Sequence, residues 1–140
     1  MGRILGVDLG AKRVGLALSD PLRTFGSPFA TISRASEKSL VEQIIGLCAR
    51  HQVDLVVIGM PYEADDRESA GCARARRVRD RLAERGLAAV LHDETWTSRD
   101  AEEALRQAGK TRRQARDKVD MIAASLILQD YLREAGEGRP

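Results

Sequence analysis

Residues 55–58 (LVVI) form an apolar run with no polar break, closed by Gly59, and residues 88–91 (AAVL) repeat the pattern further on. A strand with no polar face is buried on both sides, which is the situation in a sheet covered by helices. Two such strands lie parallel only if a crossover joins them. The segment between them, a loop over 61–68 and then an arginine-rich helical stretch ending near Gly86, supplies one. The chain is thereby confined to an α/β layered arrangement.

The start of the chain reads differently. Residues 3–9 (RILGVDL) are followed by the polar tetrapeptide Gly10-Ala11-Lys12-Arg13 and then by residues 14–19 (VGLALS), a hairpin signal. A third run, 29–33 (FATIS), comes after Pro21, Gly26 and Pro28, which read as loop punctuation. From Ser36, a suitable N-cap, the period changes: Leu40, Val41, Ile44, Ile45 and Cys48 share one helical face. The expected architecture is a five-stranded mixed sheet, a three-strand meander followed by parallel strands, flanked by helices. Two more helices close the chain, one over 98–107 and one beginning after Thr111, where Thr111 and Gln114 fit a capping box, and running to about residue 135.

A chain of 140 residues with 43% hydrophobic residues suits one core, so a single domain over 1–135 with a disordered tail over 136–140 is expected. No window approaches the roughly 18 uninterrupted apolar residues of a membrane span, and the opening MGRILGVDLG does not read as a signal peptide, so a cytoplasmic location is expected. Cys48 and Cys72 have no CxxC spacing and each falls in a helical stretch, which points to packing rather than to a disulfide or a zinc site.

Three carboxylates stand where a core pattern would not put them. Asp8 ends a run that otherwise reads as a buried strand, where an ionised side chain needs a cation or a donor; the alternative is a turn aspartate bonding the 10–13 hairpin. Gly10 likewise serves either the turn or the close approach of a ligand. Glu94 follows the last apolar run, in His92-Asp93-Glu94-Thr95, and ligands of open α/β sheets collect at the carboxyl ends of strands; the alternative is that an acid or hydroxyl here caps the next helix. His92 reads as packed or exposed, since no second histidine or cysteine is spaced to cooperate with it. Asp120 precedes Ala123, Ala124, Ile127 and Tyr131 at helical offsets and so interrupts an apolar face, unless it lies at the solvated edge of that stripe. Asp117, among Arg113, Arg116 and Lys118, fits a surface ion pair better.

Brought to one sheet edge, Asp8, Glu94 and Asp120 would repel one another without bound cations. Magnesium or manganese suits an all-oxygen set, and two such ions about 3.5–4 Å apart would support in-line phosphoryl displacement with no separate general base. The net charge of +2 is uninformative, but arginines cluster at 74, 76, 77, 79 and 81 and basic residues again at 112, 113, 116 and 118. Each cluster is either a solvated helix face or a phosphate-binding surface, with Arg76 and Arg77 as candidates for nucleic-acid contact.

The segments GVDLGAKRVGLALSD (residues 6–20), VVIGMP (56–61), DETWTS (93–98) and KVDMIAASLILQDYL (118–132), in this order, resemble the YqgF/RuvX group, bacterial proteins assigned to pre-16S rRNA cleavage and related to Holliday-junction resolvases within the ribonuclease-H-like superfamily. The resemblance covers nearly the whole chain. It implies a ribonuclease-H-like fold, Asp8, Glu94 and Asp120 as metal-binding catalytic acids, and Lys12 and Arg13 beside the substrate backbone. It also implies 16S rRNA 5′-end maturation as the function, with junction resolution on branched DNA second, by a monomer or homodimer. The chain departs from the group at Asp65-Asp66 and Ser69, where a glycine-containing loop is usual, and at Thr95 and Trp96, which replace the Arg-Leu of DERLTT.

Two other classes share parts of this pattern. GVDLGAKRVG also resembles the phosphate loop of actin-like ATPases and sugar kinases, but those enzymes close two lobes around a nucleotide and this chain has residues for one. A non-catalytic RNA- or ribosome-binding module could keep the fold and the acids as a scaffold, and retention of all three acids argues against it.

Overall fold

A computed structural model describes residues 2–10, 12–33, 36–60, 70–93 and 112–137, with side chains of the last segment described over 118–136. The elements are β1 (Arg3–Leu9), β2 (Arg13–Ser19), β3 (Gly26–Ser33), α1 (Glu37–His51), β4 (Val53–Met60), α2 (Ala70–Glu84), β5 (Ala88–Asp93) and α3 (Arg112–Glu137). They build one five-stranded sheet in the order β3-β2-β1-β4-β5. β1 pairs antiparallel with β2 and parallel with β4, and β4 pairs parallel with β5, so the expected meander and crossovers are present. The expected helix over 98–107 and the Thr111–Gln114 capping box fall outside the described residues and side chains.

Residue alternation assigns the two faces of the sheet. Leu5 and Val7 of β1, with Val56 and Ile58 of β4, pack against Leu40, Val41, Ile44 and Cys48 of α1 and Cys72, Ala75, Val78 and Leu82 of α2. Ile4, Ala17 and Val57 face the other way, onto Ala124, Ile127 and Leu128 of α3. β1 and β4 are therefore covered on both sides, which is why their sequences carry no polar alternation. Ser36 caps α1 as expected, its hydroxyl accepting from the Ser39 amide at 3.0 Å. Both cysteines are buried thiols. Burial pushes the Cys48 thiol up to about 11, in keeping with a packing role. Among the described residues no helix is long and apolar enough to cross a membrane.

One strand begins earlier than its sequence suggests. β3 starts at Gly26 rather than at residue 29, and Pro28 lies inside it opposite Ala17, where the β2–β3 register shifts. β3 is an edge strand, and a proline at an edge irregularity removes no ladder bond the sheet depends on.

Helix α3 seats on the sheet through glycine. A β-carbon on Gly6 would stand 2.9 Å from both the Ala124 carbonyl oxygen and the Leu128 β-carbon, and one on Gly26 would stand 2.7 Å from the Leu128 side chain. At Gly15 the approach is closer, for a β-carbon there would be 1.9 Å from the carbonyl oxygen of Asp120. The first described side chains of α3 are thus pressed against β2 at backbone distance.

Candidate metal centre and nucleic-acid interface

Asp8 lies near the carboxyl end of β1 and pairs across the ladder with Gly15. Alternation from Gly6 and Val7 puts its side chain on the α3 face. Since the Asp120 backbone rests on Gly15, Asp8 and Asp120 are brought together at one place on that face. The helical offsets that pointed Asp120 at the sheet are matched, with Ala123, Ala124 and Ile127 all buried.

The carboxyl of Asp120 is held mostly out of water, at 19% side-chain exposure. Its Oδ2 is sealed off and receives no hydrogen bond among the described residues. Arg13 Nε stands 3.1 Å from that oxygen as an ion pair, but without the direction a hydrogen bond requires. Burial therefore dominates and raises the Asp120 pKa, while the Arg13 charge offsets part of the rise. A buried carboxylate oxygen that accepts no hydrogen bond among the described residues, on a residue whose backbone touches the ladder partner of an aspartate on the same face, is a start for a donor set that fits a hard divalent cation. Asp8 and Asp120 are the described residues that would hold it.

Glu94 lies outside the described residues. Its predecessor Asp93 ends β5, in register with Met60 at the end of β4, and β1, β4 and β5 all run in the same direction toward this edge. Thr95, Trp96 and the 65–69 loop are likewise outside the described residues.

The basic residues divide by what they touch. Lys12 is exposed in the β1–β2 turn, next to Arg13. The turn is tight: a β-carbon on Gly10 would meet the Arg13 carbonyl oxygen at 2.4 Å, so here the glycine answers to the turn itself. Arg74 of α2 donates to the Gly10 carbonyl at 3.2 Å and ties the turn to the helix. Arg77 donates through Nε and a terminal nitrogen to Glu37 Oε1, at 2.8 and 2.7 Å, and so links α2 to α1. The hydrogen bond from Glu37 raises the Arg77 pKa and keeps it charged. Arg76, one position earlier, is exposed.

A second cluster is not visible in the sequence. His92 Nε2 hydrogen-bonds Asp130 Oδ2 at 2.7 Å, and His92 Nδ1 lies 3.8 Å from Glu134 Oε2. Ligand atoms from His92, Asp130 and Glu134 lie within 4.8 Å of one another, a spacing that allows coordination of one metal ion. His92 is packed and also stacks edge-on against Tyr131 at 5.9 Å. Its carboxylate partners lie far along the chain, on the closing helix, so no local spacing could have shown them. The one available signal was the i, i+4 pair of acids at 130 and 134 on a helix facing the sheet.

Comparison with known proteins places this architecture. A family model described as "RuvX: Holliday junction resolvase" matches residues 2–134. A relative from Syntrophus aciditrophicus, bearing the name "Putative pre-16S rRNA nuclease", is 41% identical over 131 residues, covering 93% of this chain and 87% of its own length. One of the same name from Thermosynechococcus vestitus is 35% identical, covering 92% and 86%. Among solved structures, RuvC of Thermus thermophilus in complex with Holliday junction substrate superposes with a TM-score of 0.60 at 12% identity, over 99% of this chain and 98% of that one. The fowlpox virus resolvase with Holliday junction DNA gives 0.56 at 15% identity, over 95% and 98%. At these identities the structures establish the shared ribonuclease-H-like fold.

Proposed function

Because the chain belongs to the RuvX family, whose curated relatives carry a nuclease name, we propose that it is a metal-dependent phosphodiesterase acting in maturation of the 5′ end of 16S rRNA. The observation that carries this reading is the buried Oδ2 of Asp120, which accepts no hydrogen bond among the described residues, on a residue whose backbone rests on Gly15, the ladder partner of Asp8. Arg13 offsets part of the cost of that burial in the free protein, and a bound cation would offset the rest.

In this reading Asp8, Glu94 and Asp120 are both the catalytic acids and the metal ligands, with magnesium or manganese as the ion and two ions as the stoichiometry. When bound, such a pair supplies activation of a water for in-line attack and neutralisation of charge on the leaving oxygen. The residues of the chain do the rest. Asp8 and Asp120 set the position of the charge from β1 and α3, two elements fixed to each other by backbone contact. Arg13 balances Asp120 in the free protein and turns toward a phosphate when the substrate backbone arrives. Lys12 and Arg76 add phosphate contacts from the turn and from α2, and Arg77 contributes through its exposed edge while remaining on Glu37. The unit of function is a single domain over 1–135 in the bacterial cytoplasm, working as a monomer or homodimer.

The description of the family model favours a second substrate, branched DNA. Both substrates present the same phosphodiester to the same acids, and cutting a junction symmetrically would call for a two-fold dimer. Cleavage of precursor 16S rRNA, unstructured RNA and a four-way DNA junction, each with magnesium and with manganese, tests the proposal. Preferred cutting of the precursor supports it, preferred cutting of the junction selects the second substrate, and metal-independent binding without any cutting would leave a non-catalytic RNA-binding module.

A further inference from the structure

The cluster on the far half of α3 is separate from the proposed catalytic acids. Asp130 lies ten residues beyond Asp120 on the same helix, about 15 Å along its axis at 1.5 Å per residue. From His92, Asp130 and Glu134 we infer a second metal site, for a single borderline transition ion of the zinc or cobalt class, that clamps β5 to α3.

The donor chemistry distinguishes this site from the other. Magnesium and calcium favour all-oxygen ligands, whereas one imidazole with two carboxylates suits zinc and its neighbours. The three donors come from a strand and a helix already fixed in place: the side chain of Asp130 is 4% exposed and that of His92 10%. Tyr131 stacks against the imidazole and sets the ring orientation. Arg133 donates to Asp130 Oδ1, which leaves Oδ2 directed at His92 and compensates part of the carboxylate charge. Outer donors of this kind orient metal-binding carboxylates.

Little movement is needed to admit the ion. Two ligand atoms each about 2.0 Å from a tetrahedral ion stand about 3.3 Å apart. The present separation of His92 Nε2 and Asp130 Oδ2 is 2.7 Å, so the pair opens by a fraction of an ångström. Glu134, whose side chain is 60% exposed, now stands 3.8 Å from the other ring nitrogen, Nδ1, and reaches the ion by swinging round the imidazole toward Nε2. Three protein ligands leave a fourth position to water, the pattern of an exchangeable site rather than a closed structural one.

The test is independent of nuclease activity. Zinc chloride and cobalt chloride are titrated calorimetrically into the Asp8→Asn, Asp120→Asn double variant, which removes the described acids of the first site. One ion per chain is expected, with cobalt giving the visible absorption of a low-coordinate complex. Adding Glu134→Gln, an exposed change that leaves the fold intact, is expected to weaken binding at least about tenfold, by analogy with loss of a supporting ligand. Absence of stoichiometric binding in the double variant, or affinity unchanged by Glu134→Gln, overturns the inference. Failure here leaves the nuclease reading standing, and loss of cleavage in the double variant leaves this one standing.

Discussion

The carbonyl oxygen of Asp120 lies 1.9 Å from where a β-carbon on Gly15 would be, and Gly15 is paired across the ladder with Asp8. A strand position and a helix turn distant in sequence are thus held at a separation that only a residue without a side chain permits. Both carboxylates inherit their relation from that approach. Gly15→Ala forces α3 away from β2 by overpacking, with an expected loss of about 1–3 kcal/mol in stability. Cleavage is expected to fall further than stability explains, because under the proposed function the displaced acids would no longer share an ion. Denaturant melts and single-turnover rates, compared at a temperature where the variant is folded, check this; a stable, fully active Gly15→Ala protein would refute it.

Asp120 is poised against the fold. Its carboxyl pKa is raised, with burial as the leading cause, so the folded state prefers the protonated form. A raised folded pKa gives stability that is complete below the unfolded value and is lost as pH rises through the folded one. At neutral pH the ionised group is therefore a burden in metal-free protein. Asp120→Asn should melt higher than the parent in chelator at pH 7, and this advantage should shrink toward pH 3. The same variant should lose the stabilisation that manganese gives the parent, together with at least about a hundredfold in cleavage rate.

Asp20 shifts the opposite way. Its Oδ1 accepts from the amides of Thr24 and Phe25 at 2.8 and 3.0 Å, and its Oδ2 accepts from the Thr24 hydroxyl at 2.6 Å. The Thr24 hydroxyl bond leads in lowering the carboxyl to about 2. A lowered pKa gives stability that is present above the unfolded value near 3.8 and is lost as pH falls through about 2. The difference in melting temperature between the parent and Asp20→Asn should be constant from pH 7 to pH 5 and close between pH 4 and pH 2. A difference that persists at pH 2 would contradict the assignment.

The arginines of α2 should separate in a salt titration. Neutralising a side chain that pairs with one phosphate reduces the slope of log affinity against log salt by about 0.7–0.9. Arg76→Gln is expected to lower the slope by about that amount. Arg77→Gln is expected to change the slope less and to lower the melting temperature, because the hydrogen bond to Glu37 that links α2 to α1 is lost. Equal slopes for both variants and the parent would take α2 out of the nucleic-acid surface.

Much of this arrangement is legible in the chain itself. The unbroken apolar run at 55–58 announces a strand with two buried faces, and Asp120 is directed at the sheet by its spacing from Ala124 and Ile127; the run at 88–91 reads the same way, but β5 is an edge strand whose residues are at most half-buried. Other features depend on tertiary neighbours that local patterns do not encode. Gly15 reads as a weak point in a strand, and only the folded chain shows that a helix backbone fills the space. Pro28 reads as a loop residue because an edge strand and a central strand look alike until the sheet order is known. His92 looks isolated in sequence because Asp130 and Glu134 reach it across the sheet. Arg77 reads like Arg76 in sequence, but helix packing sets Glu37 beside Arg77.

The proposed function requires that Asp8 and Asp120 share an ion. Anomalous diffraction at the manganese edge, from crystals equilibrated with manganese, tests it most directly. The expected result is a peak with carboxylate oxygens of both residues bound directly to it, at about 2.0–2.2 Å for an octahedral ion of this size. Anomalous density confined to His92, Asp130 and Glu134, or none at all from crystals of protein that cleaves RNA with manganese, would contradict it.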